Sequence, residues 1–352
     1  MISKDALINI HFVSDDKYVL PLGVAIKSIL DHAGLTEKFS FNIVDVGISE
    51  KNKDRLCALG KSDRSLMRFL NINEHISYNL ADLYQESTAS KKQYISSAAI
   101  AKFFIPLLDP DLGKTIYLDC DVIVLDSLVG AWDIDLQDNF AAVVPDLKLT
   151  HSDKNSCIEF SKEDMYFNSG FMVLNLRKMR DIGCIREYMR IASDKGMRCR
   201  LRRFLDQDQF NLIFKGQVKV LPLSYNLFSR IPVVGEHGVS IEILKWMNCR
   251  GGCISSYYEF KDVRTAIRSP VVVHFVTRFK PWTSCGGFMF NRWVRIASKI
   301  EWANKSKWEP VFSLRRLWVL RPFILLKDIL FLCYGNIPAR IKAMLRGNSS
   351  LL

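Results

Sequence analysis

The stretch Thr115-Ile-Tyr-Leu-Asp-Cys-Asp-Val-Ile-Val-Leu125 places two carboxylates at the end of an apolar, strand-like run. Asp119 and Asp121 are two residues apart, and side chains at that spacing on an extended segment point the same way. Two like charges held together need a cation, and oxygen ligands suit a hard divalent metal such as Mg²⁺ or Mn²⁺, which commonly holds a substrate's phosphates. An aspartate-rich turn is the alternative for an isolated Asp-x-Asp. The apolar runs on both sides favour the metal site.

Strand-like and helix-like segments alternate through the first third of the chain. The apolar run 7–13 predicts a buried strand, and residues 20–32 follow with helical periodicity. The same signals predict further strands at 39–46, 66–72, 115–125, 141–144 and 271–275, helices at 50–60, 94–108 and 204–214, and a strand pair or strand–helix unit at 167–176. This alternation predicts an α/β fold with a largely parallel sheet covered by helices.

A second polar cluster, Ser14-Asp-Asp-Lys-Tyr18, follows the first predicted strand. Ligands of open α/β sheets bind beyond the carboxyl ends of the strands, where both polar clusters are expected to lie. Together the clusters predict a nucleotide pocket in which Tyr18 stacks on the base. Capping of a helix N-terminus explains Asp15 or Asp16 equally well.

The composition is that of a folded protein. The chain has 352 residues, 49% of them hydrophobic and 24% charged, enough for one large domain and an appendage. Its nine cysteines form no CxxC pair, and no second Cys/His pair accompanies Cys249 and Cys253 to complete a zinc site. An odd count without a secretion signal at the start predicts reduced thiols in the cytosol.

The net charge of +12 is concentrated at the C-terminal end, where residues 302–352 carry nine Lys/Arg against two acidic residues. Residues 315–327 mix cations with Trp, Phe and Leu, a composition typical of a segment lying in a membrane interface. A terminal helix packed on the domain is the alternative. The most apolar run, 317–334, is interrupted by charges and does not span a bilayer. We therefore expect a cytoplasmic protein bound peripherally to the inner face of the cytoplasmic membrane; nucleic acid is disfavoured because no recognition motif accompanies the charge.

Five short motifs follow one another in order between residues 7 and 285. They are Phe12-Val-Ser-Asp-Asp-Lys-Tyr18, Tyr117-Leu-Asp-Cys-Asp-Val122, Tyr166-Phe-Asn-Ser-Gly-Phe171, Asp206-Gln-Asp208 and His274-Phe-Val-Thr-Arg-Phe-Lys-Pro-Trp282. In this order and spacing they resemble glycosyltransferase family 8, in particular its bacterial lipopolysaccharide galactosyl- and glucosyltransferases. The resemblance implies a GT-A type nucleotide-sugar-binding fold, with a single Rossmann-like mixed sheet flanked by helices, and a retaining transfer from a UDP-sugar.

The resemblance also implies which side chains bind the metal and the nucleotide. Asp119, Asp121 and His274 would bind Mn²⁺ or Mg²⁺, and Mn²⁺ accepts such mixed nitrogen and oxygen ligands. Asp15 and Tyr18 would contact the uridine. Without the Lys-Pro-Trp that follows it, His274 would be explained as a hydrogen-bonded core histidine.

The donor sugar would lie among side chains of two further motifs and the end of a predicted strand. The resemblance places these residues around it: Asp146, Asn168, Asp206 and Gln207. Gln207 and Asp206 would be catalytic, with Gln207 at the anomeric carbon as nucleophile or as stabiliser of an oxocarbenium-like state. A helix start explains Asp206-Gln-Asp208, and a turn explains Asn168-Ser-Gly170, without any function.

Three residues would complete the donor site: Lys102, Cys120 and Lys280. Lys280 would stabilise the negative charge that develops on UDP as the sugar leaves. Two positions depart from the usual family pattern. Thr277 stands in place of a glycine, and Ile100-Ala-Lys102 stands in place of Tyr-Ala-Arg, where Lys keeps the charge but loses the bidentate fork.

These observations predict a catalytic GT-A domain over residues 1–285 and a basic, aromatic, helical extension over 286–352. The expected function is transfer of glucose or galactose from a UDP-sugar to a lipopolysaccharide core. Transfer to capsule or another glycan, and an inactive homologue that binds membranes or polyanions, are the alternatives. The basic run 195–203 is either a solvated helix face or a contact for an anionic acceptor.

Overall fold

The structure is a computed structural model that describes residues 7–75, 98–146, 165–194, 205–229, 257–276, 280–283 and 289–303. Within these ranges the strands are β1 (Leu7–Ser14), β2 (Lys38–Asp45), β3 (Ser65–Asn71), β4 (Lys114–Leu118), β5 (Val122–Val124), β6 (Ala141–Pro145), β7 (Phe167–Asn175), β8 (Val218–Val220), β9 (Leu227–Phe228) and β10 (Val272–His274). The helices are α1 (Val19–His32), α2 (Glu50–Gly60), α3 (Ile72–His75), α4 (Ala98–Ala101), α5 (Ile105–Leu108), α6 (Val129–Trp132), α7 (Leu176–Asp181), α8 (Cys184–Ser193), α9 (Leu205–Ile213), α10 (Phe260–Arg268) and α11 (Phe290–Ala297). Short 3₁₀ turns lie at Asp16–Tyr18, Lys102–Phe104 and Leu223–Asn226.

A mixed seven-stranded sheet organises the molecule, with the strand order β3-β2-β1-β4-β7-β6-β8. Strands β3, β2, β1 and β4 are parallel, β7 is antiparallel to both β4 and β6, and β8 is parallel to β6. Strands β1 and β2 are buried on both faces, which explains their nearly continuous apolar sequences. The predicted mixed, largely parallel sheet flanked by helices is confirmed.

A second sheet of three strands, in the order β5-β10-β9, stands beside the large one and was not predicted. β10 is antiparallel to β5 and parallel to β9. The predicted strand region 115–125 is thereby divided, since β4 belongs to the large sheet and β5 to the small one. The Asp-x-Asp lies in the connection between the two sheets.

The predicted helix over 94–108 is broken in its described part. It consists of α4 and α5, separated by the 3₁₀ turn Lys102–Phe104. Pro106 lies in the first turn of α5, and a proline ring clashes with the carbonyl four residues before it, so the α-helix cannot continue through this point. This break places Lys102 on a turn that faces the end of β4.

Two apolar clusters cover the two faces of the large sheet. Ile10 and Phe12 of β1 lie in the cluster that includes α1 and α11, where Trp293 is fully buried. On the other face, Phe103 stacks on Phe210 of α9 with a centroid distance of 4.0 Å. The described beginning of the C-terminal extension, α11, therefore packs against the core of the large sheet, and a domain boundary near residue 285 stays a prediction.

A buried polar network crosses the large sheet away from the Asp-x-Asp. His11 Nε2 lies 3.1 Å from Asp109, which is also paired with Arg68 at 3.0 Å, and His11 Nδ1 lies 2.8 Å from the Thr115 hydroxyl. Burial lowers the pKa of His11 despite the neighbouring carboxylate. The polar groups of these side chains are hydrogen-bonded or ion-paired with one another, so their burial requires no bound ligand.

No helix within the described ranges is long and apolar enough to cross a membrane. The described cysteines Cys57, Cys120 and Cys184 are free thiols. Three features of the sequence lie outside the described residues: the basic run 195–203, the Thr277-Arg278 departure, and residues 304–352 of the extension.

Candidate functional site

The Asp-x-Asp joins the large sheet to the small one at a point where backbone hydrogen bonds fix both ends. The N–H of Asp119 donates to the carbonyl of Gly170 on β7 at 2.9 Å. The carbonyl of Asp121 accepts from the N–H of Phe275, just after β10, also at 2.9 Å. Because His274 pairs with Val122 across the small sheet, β10 brings the imidazole to the two carboxylates.

Asp119, Asp121 and His274 form a cluster whose ligand atoms all lie within 4.8 Å of one another. His274 Nε2 is 3.1 Å from Asp121 Oδ1 and 3.7 Å from Asp119 Oδ2. Asp121 and His274 are buried, and the Asp119 side chain is 28% exposed. Two carboxylates and one imidazole fit a divalent cation of the Mn²⁺ type, and three protein ligands leave coordination positions for substrate phosphates.

Each carboxylate has one oxygen held by a lysine and the other turned toward His274. Asp119 Oδ1 accepts from the Tyr117 hydroxyl at 2.7 Å and is paired with Lys102 at 3.0 Å. Asp121 Oδ2 is paired with Lys280, which also donates to the carbonyl of Phe275. The two oxygens nearest the imidazole are thus held in place for a shared cation.

Charge interactions dominate the protonation of this cluster. Burial alone would raise the pKa of Asp121, but Lys280 and His274 outweigh it and hold that pKa well below its usual range. Likewise, burial alone would lower the pKa of Lys102, whereas Asp119 and Asp206 raise it above its ordinary value. Asp121 is therefore a carboxylate and Lys102 an ammonium at neutral pH.

Lys102 connects the cluster to α9. Its Nζ lies 2.5 Å from Asp206 Oδ2 and 3.5 Å from the Ser169 hydroxyl, and it stands 5.0 Å from the centroid of the Tyr117 ring. The Ser169 hydroxyl in turn donates to Asp206 at 2.9 Å. The buried ammonium group of Lys102 therefore pairs with two carboxylates, that of Asp119 in the Asp-x-Asp and that of Asp206 in the Asp-Gln-Asp motif.

The predicted sugar-binding residues are connected by hydrogen bonds. Gln207 Nε2 donates to Asp146 Oδ2 at 2.9 Å, and Gln207 Oε1 accepts from Asn168 Nδ2 at 2.9 Å. Gln207 Oε1 also lies 3.4 Å from the N–H of Ser169. The ends of β6 and β7 and the first turn of α9 thus converge at one edge of the sheet.

Gly170 allows β7 to approach the cluster closely. A Cβ at this position would lie 2.0 Å from His274 Cε1, 2.7 Å from its Nδ1 and 2.9 Å from Asp119 Oδ2. No side chain fits at such distances. The glycine of Asn168-Ser-Gly170 is therefore required by packing against the imidazole, which a turn does not explain.

The residues predicted to contact the nucleotide lie on the 3₁₀ turn after β1, close to residues that follow β10. Asp15 caps this turn, since its Oδ1 accepts from the N–H groups of Lys17 and Tyr18, both at 3.1 Å. The Tyr18 ring packs edge-on against Trp282, with a centroid distance of 5.9 Å. Burial raises the pKa of Tyr18 to about 12, with a further contribution from Asp121, so the phenol keeps its proton.

Cys120 lies apart from the polar side chains, although it stands between the two aspartates. Its thiol is buried in the apolar core and lies 3.1 Å from the carbonyl of Val13. Burial raises the pKa of this thiol well above its ordinary value. Any contact of Cys120 with a ligand would therefore come from its backbone.

Tyr117 and Asn226 contact the cluster but were not among the predicted site residues. Tyr117 was placed in a strand and in the second motif without a role, although it orients Asp119. Asn226 accepts from His274 Nδ1 at 3.0 Å. In the sequence, Asn226 is recognisable only as a polar residue before the apolar pair of β9, and an asparagine at such a position is common in turns.

The comparisons with known proteins agree on one family. The sequence model described as glycosyl transferase family 8 matches residues 9–286. General stress protein A of Bacillus subtilis is 25% identical over 286 residues, covering 80% of this chain and 89% of that protein. A lipopolysaccharide 1,2-glucosyltransferase of Escherichia coli is 27% identical over 221 residues, 62% of either protein.

Solved structures show the same fold. The galactosyltransferase LgtC, in complex with donor and acceptor sugar analogs, superposes with a TM-score of 0.66 at 24% identity, covering 86% of this chain and 99% of that one. The bifunctional glycosyltransferase WbbM, in its apo form, has a TM-score of 0.64 at 21% identity, covering 86% of this chain and 51% of that one. The GT-A fold predicted from the sequence is confirmed.

Proposed function

The chain belongs to glycosyl transferase family 8, and on this premise we propose that it is a metal-dependent, retaining hexosyltransferase that takes glucose or galactose from a UDP-sugar. The observation that carries the proposal is the cluster of Asp119, Asp121 and His274 beside the hydrogen-bonded pair Gln207 and Asp146. One group of side chains suits a cation and diphosphate, and the other suits hydroxyl groups of a sugar. Their adjacency is what a nucleotide-sugar donor requires.

The donor diphosphate would lie next to the metal cluster. A bound Mn²⁺ or Mg²⁺ supplies positive charge to the leaving UDP. Lys280 and Lys102 are already held at the two carboxylates, so their ammonium groups add positive charge near the same oxygens. Tyr18 and Asp15 would lie along the nucleoside, beyond the carboxyl end of β1.

The sugar would lie over the Asn168, Gln207 and Asp146 side chains. Gln207 is held from both ends, because its amide donates to Asp146 and accepts from Asn168. Such a fixed side chain is suited to a constant position at the anomeric carbon, either as nucleophile or as stabiliser of positive charge. Asp206, paired with Lys102, would contact the donor from the same helix end.

The names of some relatives point to lipopolysaccharide as an acceptor class. One relative is named a lipopolysaccharide 1,2-glucosyltransferase, and LgtC was solved with donor and acceptor sugar analogs. We propose the same acceptor class for this chain. An assay that offers lipopolysaccharide, capsule and other glycans as acceptors would distinguish this acceptor class from the alternatives.

A donor panel tests the proposed function. Purified protein with Mn²⁺ is expected to release UDP from UDP-glucose or UDP-galactose, with a preference for one of them. EDTA should abolish release and added Mn²⁺ should restore it. Turnover that EDTA leaves unchanged would contradict the metal role, and donor-dependent thermal stabilisation without turnover, even with lipopolysaccharide present, would favour an inactive binding protein.

Peripheral binding to the cytoplasmic face of the inner membrane is a separate part of the proposal. α11 buries Trp293 and exposes Arg292 and Arg295, so the described start of the extension presents cations outward. Anionic lipids favour each nearby cation by about 1 kcal/mol.

Truncation after residue 305 tests the membrane contact. The shortened protein should keep UDP-sugar hydrolysis, which reports its folding, and should no longer sediment with vesicles containing anionic lipid. Sedimentation equal to that of the full chain would refute the membrane contact.

A further inference from the structure

Asn226 occupies a fully buried position between the metal cluster and the sugar-binding residues. It ends the 3₁₀ turn Leu223–Asn226 and leads directly into β9, beside β10 in the small sheet. Its Oδ1 lies 3.0 Å from His274 Nδ1, and its Nδ2 donates to Asn168 Oδ1 at 2.9 Å. One end of the Asn226 amide therefore contacts the proposed metal ligand His274, and the other end contacts the proposed sugar-binding residue Asn168.

The orientation of this amide follows from a backbone group. Asn168 Oδ1 accepts from the N–H of Gly170 at 3.0 Å. A backbone N–H can only donate, so that atom of Asn168 must be its carbonyl oxygen. The end of Asn226 that faces it must therefore be the NH₂ group, and the end that faces His274 must be the oxygen.

The tautomer of His274 follows in the same way. An amide oxygen only accepts, so His274 Nδ1 must carry a hydrogen to bond with Asn226. The other ring nitrogen, Nε2, then faces Asp121 and Asp119 at 3.1 and 3.7 Å. This is the nitrogen whose lone pair a cation in the cluster would need.

We propose that Asn226 is a positioning residue, which keeps a hydrogen on His274 Nδ1 and so leaves Nε2 as the ring nitrogen that faces a divalent cation. The inference rests on the proposed metal site. Partners of this kind fix the ring and its tautomer, and their loss typically weakens metal binding by about 10- to 100-fold.

Asn226 also begins a series of hydrogen bonds that runs in one direction to the sugar side. Its NH₂ donates to Asn168, the Asn168 NH₂ donates to Gln207, and the Gln207 NH₂ donates to Asp146, each at 2.9 Å. Every amide in the series is therefore oriented by its neighbours. One connected series of hydrogen bonds therefore fixes the orientation of the proposed metal ligand His274 and of the residues proposed to hold the sugar.

Mn²⁺ binding to the nucleotide-free full-length protein tests the inference without relying on turnover. Asn226→Ala should bind Mn²⁺ about 10- to 100-fold more weakly, measured from the electron paramagnetic resonance signal of free Mn²⁺. Asn42→Ala is the matched control, because Asn42 is also fully buried and hydrogen-bonded but lies within β2. Its Mn²⁺ affinity should stay within about 2-fold of the wild type.

The tautomer gives a second readout that a general loss of packing would not reproduce. Long-range ¹H–¹⁵N spectra of metal-free protein, with His274 assigned through His274→Gln, should show a hydrogen on Nδ1. Asn226→Asp keeps an acceptor for that hydrogen, so its spectrum should still show a hydrogen on His274 Nδ1. In Asn226→Ala the hydrogen should no longer be confined to Nδ1. This comparison also covers the case in which the alanine variant folds poorly.

Several outcomes would overturn the inference. Unchanged Mn²⁺ affinity in Asn226→Ala would do so, and so would a wild-type His274 without a hydrogen on Nδ1. Wild-type protein that binds Mn²⁺ through His274 but transfers no sugar would refute the proposed function and leave the role of Asn226 intact. Wild-type protein that binds no Mn²⁺ and releases no UDP with either Mn²⁺ or Mg²⁺ would refute both.

Discussion

Asp121→Asn is expected to lower metal-dependent UDP release by about 10³-fold, which corresponds to about 4 kcal/mol. The substitution keeps the size of the side chain and removes its charge. Asp121 is buried and lies between Lys280 and His274, and the pKa of its carboxyl is held low by both. The neutral amide would lose one anionic ligand and leave Lys280 without its carboxylate partner.

Asp126→Asn is the matched control for this prediction, because Asp126 is exposed and follows the same strand β5. It should retain nearly full activity. Raising the Mn²⁺ concentration should recover part of the loss in Asp121→Asn, since the other two ligands are intact. Activity above one tenth of the wild type at low Mn²⁺ would show that Asp121 does not bind the metal.

Gly170→Ala should abolish Mn²⁺ binding and lower the free energy of unfolding by about 1–3 kcal/mol. The added methyl group would overlap His274 Cε1, 2.0 Å away, and crowd Asp119 Oδ2 at 2.9 Å. Neither neighbour can move freely. β10 and Asn226 hold the imidazole, while Tyr117 and Lys102 hold the carboxylate.

Titration with Mn²⁺ and urea unfolding would measure the two effects. Gly113→Ala is a suitable control, since a Cβ at Gly113 meets no atom within 4 Å. Adding His274→Gly to Gly170→Ala removes the overlapping ring, so the loss of stability in the double variant should be smaller than the sum of the two single losses, while metal binding stays lost. If Gly170→Ala binds Mn²⁺ like the wild type, the close approach of β7 is not needed for the site.

The fold was largely predictable because strands β1 and β2 of the large sheet are buried on both faces. Their sequences are continuous apolar runs, and those at 7–13 and 39–46 correspond to β1 and β2 within one or two residues. The passage of the chain from the large sheet in β4 to the small sheet in β5 was not predictable, because apolar residues flank the Asp-x-Asp on both sides and do not indicate a change of sheet. Helices α8 and α10 were likewise missed.

The site was predictable only where short motifs carry it. The Asp-x-Asp lies beside His274, and Asp146 is hydrogen-bonded to Gln207 of the Asp-Gln-Asp motif, while the roles that the resemblance implies for these residues stay predictions. The ion pair between Lys102 and Asp206 was not foreseen, although both residues had been placed at the donor site. Lys102 and Asp206 are 104 residues apart, and no local pattern indicates that they share a charge.

The three-stranded sheet has a consequence for how the protein folds and unfolds. Val124 pairs with Val272, about 150 residues later in the chain, so the sheet closes only after most of the domain has been ordered. No fragment short of that closure holds both the Asp-x-Asp and His274 in place. A cation that occupies the cluster therefore binds the native chain alone and shifts the folding equilibrium by mass action, by about 2.7 kcal/mol at a concentration of 100 times its Kd.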